Sequence, residues 1–179
     1  QVYTTVDLDI QNMAQAAARG QIATLTANNA SNAAVLVLKP VTGEVLAMVG
    51  SVDYRDDSID GRVNVVVAPR QPGSTMKALT YASALEQGIT AGDILWDTPT
   101  NIAGYEPRNY DGTFHGPVRM RAALANSYNI PAVQTLRQVG VPSLLEIAAR
   151  FGVRSLGSDA SAYGLSLTLG GGEITLLEL

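Results

Sequence analysis

Two side chains that could together form an activated nucleophile, Ser74 and Lys77, stand three residues apart. They lie in RQPGSTMKALTYASALEQG, residues 70–88, where Pro72 and Gly73 precede a predicted helix. Residues three apart on a helix share one face, so the lysine amine can reach the serine hydroxyl near the positive end of the helix dipole. A serine hydroxyl becomes a good nucleophile when a neighbour takes its proton, and a lysine can do so once burial lowers its pKa. The pair therefore predicts a serine nucleophile with a lysine base.

A second motif strengthens this prediction, because S-x-x-K alone also describes a surface serine beside a solvated lysine. The stretch ALANSYNIPAV, residues 123–133, places Ser127 and Asn129 at the junction of two predicted helices. S-x-x-K followed by S-x-N is the pairing of penicillin-recognising serine acyl-enzymes. In that chemistry Ser127 would relay a proton from Lys77 to the leaving nitrogen, and Asn129 would bind the substrate's peptide backbone and brace the lysine. The alternative is that Ser127 and Asn129 only cap helices.

The elements that must position these residues follow from the pattern of apolar and turn-forming residues. Asp7 is a predicted N-cap for a helix over residues 8–19. Residues 33–50 contain two apolar runs separated by a turn, which predicts a β-hairpin. Residues 89–116 are rich in Gly, Pro, Asn and Asp, so we expect a long irregular stretch that lines or covers a site. Three helical segments are predicted after it, at about 117–126, 130–139 and 141–151.

Composition limits the classes of function. With 179 residues, 46% hydrophobic and 16% charged, the chain has the size and composition of one globular domain. Its net charge of -4 and its lack of a basic run argue against a nucleic-acid partner. The sequence has no cysteine, which excludes disulfides and thiolate metal sites, and no motif indicates a metal or cofactor.

Two further groups of polar residues are interpreted as structural. His115 is the only histidine and lies in a glycine-flanked loop without a nucleophile-elbow motif, so we do not predict a general base there. Four aspartates between residues 53 and 60 lack the spacing of a calcium loop and indicate a solvated segment.

Nearly the whole sequence resembles one family, the transpeptidase domain of class A penicillin-binding proteins, which are bifunctional bacterial cell-wall synthases. TTVDLDIQ, residues 4–11, resembles the entry to that domain, and residues 33–50 resemble its first hairpin. RQPGSTMK, residues 70–77, is similar to the nucleophile motif of the family. NYDGTFHGPVRMRAALANSYNIPAV, residues 109–133, resembles the stretch that ends in S-x-N, and residues 164–179 resemble the segment after the helical subdomain.

The resemblance implies an α+β fold of the kind shared by penicillin-binding proteins and serine β-lactamases, with an antiparallel sheet and a helical subdomain, incomplete in this chain. Residues 1–179 would be the N-terminal part of one transpeptidase domain, with the first helix and hairpin in 1–70 and the nucleophile helix and helical subdomain in 71–179. The family's third motif, K-T-G, does not occur after Asn129, and KPVTG at 39–43 is interpreted as a hairpin turn. We expect the remaining C-terminal strands to come from outside this chain, including as a second chain, and the fragment alone to be inactive or strongly slowed.

The activity that the resemblance implies is a peptidoglycan D,D-transpeptidase. Ser74 would form the acyl-enzyme, with Lys77 and Ser127 as proton-transfer residues and Asn129 in substrate binding, and β-lactams would acylate the same serine. The implied partners are stem peptides, β-lactams and an upstream glycosyltransferase domain of the parent protein, at the extracytoplasmic face of the bacterial membrane, with the anchor outside this chain. Two alternatives remain: a β-lactamase or D,D-carboxypeptidase of the same fold, and a non-catalytic β-lactam-binding or sensor domain.

Overall fold

The computed structural model describes all residues 1–179, and its internal contacts divide the chain into two units. The first unit comprises residues 1–70 and 175–179, and the second comprises 71–174. Each unit contains its own cluster of buried apolar side chains. No helix combines the length and the apolar character that crossing a membrane requires. The predicted assignment of the chain to part of a single domain stays a prediction.

The first unit begins with α1, Leu8–Thr24. Asp7 is its N-cap as predicted, because the Asp7 carboxylate accepts the backbone N–H groups of Asp9 at 2.9 Å and Ile10 at 3.1 Å. The helix runs five residues beyond the predicted end. Gly20 lies within it, in ordinary helical backbone, and does not end it.

The hairpin of the first unit is confirmed. Strands β1, Val35–Leu38, and β2, Val45–Val49, pair antiparallel. The KPVTG segment forms the turn between them, and the Lys39 N–H donates to the Glu44 carbonyl at 2.9 Å. Alanine and valine side chains of the hairpin pack with small side chains of α1 in the core of this unit.

In the second unit, the nucleophile segment begins with a single 3-10 turn, Gly73–Thr75, and continues as α2, Met76–Glu86. Ser74 therefore lies in a 3-10 turn, whereas we predicted the first turn of an α-helix. The backbone of Gly73, with a left-handed φ of 61°, departs from α-helical geometry at the first residue of the turn, and the regular α-helix begins only at Met76. The helix ends at Glu86, just before Gln87 and Gly88, and Gly88 also has a left-handed φ of 89°.

The stretch predicted to be irregular contains half of a small sheet. Strand β3, Ile94–Asp97, pairs antiparallel with β4, Gly116–Arg119, so that Asp97 lies opposite Gly116. The prediction was wrong for residues 94–97, which are not irregular, and for residues 117–119, which were predicted to begin a helix. Leu95 and Val118 face the core of this unit and alternate with exposed neighbours, which favours strand pairing. Residues between the two strands remain mostly irregular.

Three helices complete the second unit close to their predicted places: α3, Met120–Ala125, α4, Asn129–Val139, and α5, Val141–Arg150. Side chains of α2, α4, α5 and the 3-10 segment Leu165–Leu169 form the core of this unit. Each fully buried leucine or isoleucine contributes about 1.5–3 kcal/mol from apolar surface removed from water. Large members of this core are Tyr81, Leu136, Leu144, Ile147 and Leu167.

Candidate active site

Ser74 lies exposed on the 3-10 turn that precedes α2. The turn is braced from within, since the Thr75 hydroxyl donates to the Pro72 carbonyl at 2.7 Å. It is also packed against Gly170: a Cβ on Gly170 would lie 2.3 Å from the Gly73 nitrogen. The absence of a side chain at Gly170 is therefore part of what positions the serine.

Lys77 is fully buried, and its amine faces the junction between α3 and α4. Nζ donates to the Ser127 carbonyl at 2.5 Å and to Asn129 Oδ1 at 2.6 Å, and it lies 3.0 Å from Ser127 Oγ. Three acceptors match the three N–H donors of an ammonium group. The structure therefore joins Lys77 to both residues of the predicted S-x-N motif, and the hydrogen bonds of its amine do not include Ser74.

Burial lowers the pKa of Lys77 from the ordinary 10.5 to about 8, because the charged form loses hydration. At pH 7 a lysine with a pKa of 10.5 is neutral in about 0.03% of molecules, and one with a pKa of 8 is neutral in about 9%. The buried position therefore raises the population of the basic form about 300-fold. A neutral amine has a lone pair that can accept a proton from a hydroxyl.

Ser127 lies at the turn between α3 and α4 with a left-handed backbone, φ 55°. Its N–H donates to the Leu124 carbonyl at 3.0 Å, which closes the end of α3. This geometry turns both the carbonyl and the hydroxyl of Ser127 toward the amine of Lys77. The hydroxyl can accept from an ammonium group or donate to a neutral amine, as a proton relay requires.

Asn129 is the first residue of α4, and its side chain is fixed at both ends. Its Oδ1 accepts from Lys77, and its Nδ2 donates to the Arg108 carbonyl at 2.8 Å. These partners determine which end of the amide faces the lysine, because the ammonium group can only donate.

Asn109 is a residue of the site that sequence reasoning missed. Its Oδ1 accepts the backbone N–H groups of Asn129 at 2.8 Å and Ile130 at 3.4 Å, so it caps the start of α4 from a distant loop. Its Nδ2 donates to both carboxylate oxygens of Asp97 and to the Thr113 carbonyl, each at 2.8 Å. The resemblance covered Asn109 in the NYDG segment, but no local pattern indicated its partners.

Asp97 and His115 continue this polar cluster from its buried part to the surface. The Asp97 side chain is fully buried and lies 2.6 Å from Nδ1 of His115, whose backbone N–H it accepts at 3.0 Å. The His115 ring stacks on Tyr128 with centroids 4.0 Å apart. These contacts agree with the structural interpretation of His115.

Of the four predicted site residues, the structure brings Lys77, Ser127 and Asn129 into direct contact and places Ser74 on the turn just before Lys77. Their roles as nucleophile, base, relay and substrate ligand stay predictions. No group of three or more His, Cys, Asp or Glu residues in residues 1–179 has the arrangement of a metal site.

Comparison with known proteins defines the class. A family model described as the penicillin-binding protein transpeptidase domain matches residues 33–167, and the chain belongs to this family of serine acyltransferases. Penicillin-binding protein 1C of Escherichia coli is 36% identical over 171 residues, covering 95% of this chain and 22% of the relative. Penicillin-binding protein 1A of Neisseria meningitidis is 36% identical over 153 residues, covering 82% of this chain and 18% of the relative. The chain thus spans about a fifth of these relatives. The predicted membership in the class A penicillin-binding proteins is confirmed.

Solved structures agree on the fold. Penicillin-binding protein 1A from Haemophilus influenzae superimposes with a TM-score of 0.71 at 30% identity, over 82% of this chain and 22% of that chain. PonA1 from Mycobacterium tuberculosis, in complex with penicillin V, gives a TM-score of 0.81 at 22% identity, over 99% of this chain and 48% of that chain. The prediction of an incomplete α+β fold of the penicillin-binding type is confirmed.

Proposed function

We propose that this chain carries the nucleophile and the proton-transfer residues of a peptidoglycan D,D-transpeptidase. The observation that carries the proposal is the environment of Lys77, which lies three residues after the exposed Ser74. Lys77 is fully buried, and its amine is held by Ser127 and Asn129. The substrates are stem peptides ending in D-Ala-D-Ala, and β-lactams acylate the same serine. The parent protein supplies the remaining strands of the domain and an upstream glycosyltransferase domain, and it acts at the extracytoplasmic face of the bacterial membrane.

Acylation begins with neutral Lys77. The Ser74 hydroxyl gives its proton to Lys77 Nζ while Ser74 Oγ bonds to the carbonyl carbon of the D-Ala-D-Ala peptide bond. Hydrogen bonds between a nucleophile and its base often tighten only when substrate is bound, and the two groups lie on one helical turn. The tetrahedral intermediate then breaks its C–N bond, and the leaving nitrogen receives the proton of Lys77 through Ser127 Oγ, 3.0 Å from Nζ.

Transfer to the acceptor strand reverses the proton path. An amine of the neighbouring stem peptide attacks the ester carbon, its proton passes through Ser127 to Lys77, and Ser74 regains a proton as it leaves. In a β-lactam the leaving nitrogen stays tethered to the acyl group, so the amine of the acceptor strand is kept out and the acyl-enzyme persists.

The surroundings of the base favour transfer over hydrolysis. A β-lactamase or D,D-carboxypeptidase of this fold needs a base to activate the deacylating water. The groups that contact the Lys77 amine are a carbonyl, a hydroxyl and an amide. The buried carboxylate of Asp97 makes its hydrogen bonds with Asn109 and His115 instead.

Covalent labelling by a fluorescent penicillin tests the nucleophile. In the intact protein, Ser74→Ala should abolish labelling and leave the thermal unfolding midpoint nearly unchanged, because Ser74 is exposed. Ser31→Ala is the control: it removes an exposed serine hydroxyl outside the nucleophile segment and should keep labelling. Labelling of the Ser74→Ala protein at the parent's rate would refute the assignment.

A further inference from the structure

Asp97 has no part in the acyl-transfer steps, yet it is a fully buried carboxylate at the end of β3. Burying such a group is unfavourable unless hydrogen bonds replace the lost water. Here both oxygens accept from the Asn109 amide. One of them, Oδ2, also accepts the His115 backbone N–H and lies 2.6 Å from Nδ1 of the His115 ring. The chain therefore holds three polar side chains in one fixed arrangement beneath the S-x-N junction.

One series of hydrogen bonds connects Asp97 to the amine of Lys77. Asp97 and the Thr113 carbonyl together hold the Asn109 amide nitrogen, which fixes where Asn109 Oδ1 points. That oxygen accepts the Asn129 N–H at 2.8 Å, and the side chain of Asn129 accepts from Lys77 at 2.6 Å. Two successive hydrogen bonds, both made by Asn129, thus connect Asn109 to the Lys77 amine.

A second set of contacts holds Tyr128, the residue between Ser127 and Asn129. The His115 ring, oriented by Asp97, stacks on Tyr128 at 4.0 Å with an interplanar angle of 17°. Tyr128 is the N-cap residue of α4 and makes no capping bond with its own side chain. The start of α4 is therefore held by Asn109 and His115, and both depend on Asp97.

We propose that Asp97 and Asn109 are positioning residues that set the location of Asn129 and, through it, of the Lys77 amine. That this amine is the base rests on the proposed function, whereas its location can be measured independently. Loss of Asn109 frees the first N–H groups of α4, so the backbone that carries the Asn129 side chain is no longer fixed. The Asn129 amide then keeps only the Arg108 carbonyl and Lys77 as partners, and its position can shift. A displacement of about 1 Å at a reacting group is worth about 100-fold in rate.

The two lysines of the sequence make a direct measurement practical. In the intact protein labelled with ¹³C at lysine Cε, the signals of Lys77 and Lys39 are assigned by their loss in Lys77→Arg and Lys39→Arg. Lys39, in the exposed hairpin turn, serves as an internal reference. In Asn109→Ala the Lys77 signal should move by more than its linewidth and the Lys39 signal should stay in place. The rate of acylation by penicillin in the intact protein should fall about 100-fold.

Asn101→Ala is the matched control, because it removes an asparagine from the same irregular stretch. The Asn101 amide bonds to Glu106 and to the Gly104 N–H, away from α4. Both lysine signals and the acylation rate should stay at the parent's values in this variant.

An unmoved Lys77 signal in folded Asn109→Ala protein would overturn the proposal, whatever the acylation rate does. If that variant does not fold, Asp97→Asn tests the proposal instead. This substitution keeps the side-chain volume but turns an N–H donor toward Asn109 or His115. An unchanged Lys77 signal and an unchanged acylation rate would again overturn the proposal. Failure of the proposed function has a different signature, since the parent itself would not be labelled by penicillin while the Lys77 signal would still respond to Asn109→Ala.

Discussion

Titration of Lys77 should control the pH dependence of acylation. The base must be neutral, and burial lowers the pKa of Lys77 to about 8. The neutral fraction is about 1% at pH 6, 50% at pH 8 and 91% at pH 9. Because the rate follows this fraction, it should rise about 50-fold between pH 6 and pH 8 and less than twofold between pH 8 and pH 9.

The assay is the second-order rate constant for covalent labelling of the intact protein by a fluorescent penicillin, measured from pH 6 to pH 9. Ser74→Ala provides the background at each pH. A ¹³C titration of lysine Cε in the intact protein, with the Lys77 signal assigned by its loss in Lys77→Arg, follows the ionisation of Lys77 directly.

The decisive feature is the levelling of the acylation rate between pH 8 and pH 9. A lysine with the ordinary pKa of 10.5 would give a further tenfold rise between pH 8 and pH 9. Such a rise, or a rate that is flat between pH 6 and pH 8, would refute the reasoning that burial prepares Lys77 as the base. A titration midpoint of Lys77 above pH 10 would do so without any reference to acylation.

Two further substitutions test the packing that positions the site. Gly170→Ala places a Cβ 2.3 Å from the Gly73 nitrogen, and the φ of 90° at this position already disfavours a side chain. The substitution should therefore lower the unfolding midpoint and, because it displaces Ser74, reduce the acylation rate. An unaffected acylation rate would show that the turn does not depend on this contact. Tyr81→Phe removes a buried hydroxyl that has no hydrogen-bond partner, so the free energy of unfolding should stay the same or rise by about 1–3 kcal/mol, and denaturant unfolding that shows a loss of stability would reveal a partner for that hydroxyl.

The site could be predicted from sequence where its residues are close in the chain. The spacing of Ser74 and Lys77 and the pair Ser127 and Asn129 are local patterns, and each lies where the pattern put it. The pairing of the two motifs also predicted that Ser127 and Asn129 would lie beside Lys77, although they are 50 and 52 residues further along the chain. The third acceptor of the buried amine, the Ser127 carbonyl, could not be predicted, because its direction depends on the left-handed backbone of that residue.

The polar cluster beneath the junction could not be predicted in this way. Asp97 and Asn109 are 12 residues apart, and Asn109 and Asn129 are 20 apart, in segments whose composition indicated only loops. A buried hydrogen-bonded carboxylate has the same sequence signature as a solvated one. Strands β3 and β4 could not be predicted for another reason: β4 begins with Gly116 and Pro117, residues that are uncommon in strands.

At the left-handed backbone of Ser127, the residue that is best for stability differs from the residue that the chemistry requires. A non-glycine residue in this conformation costs about 1–2 kcal/mol, which glycine would avoid. Glycine would also remove the hydroxyl that lies 3.0 Å from the Lys77 amine. Directed evolution for heat resistance alone would therefore tend to replace Ser127 with glycine, and a screen that also demands covalent capture of penicillin would keep the strained serine.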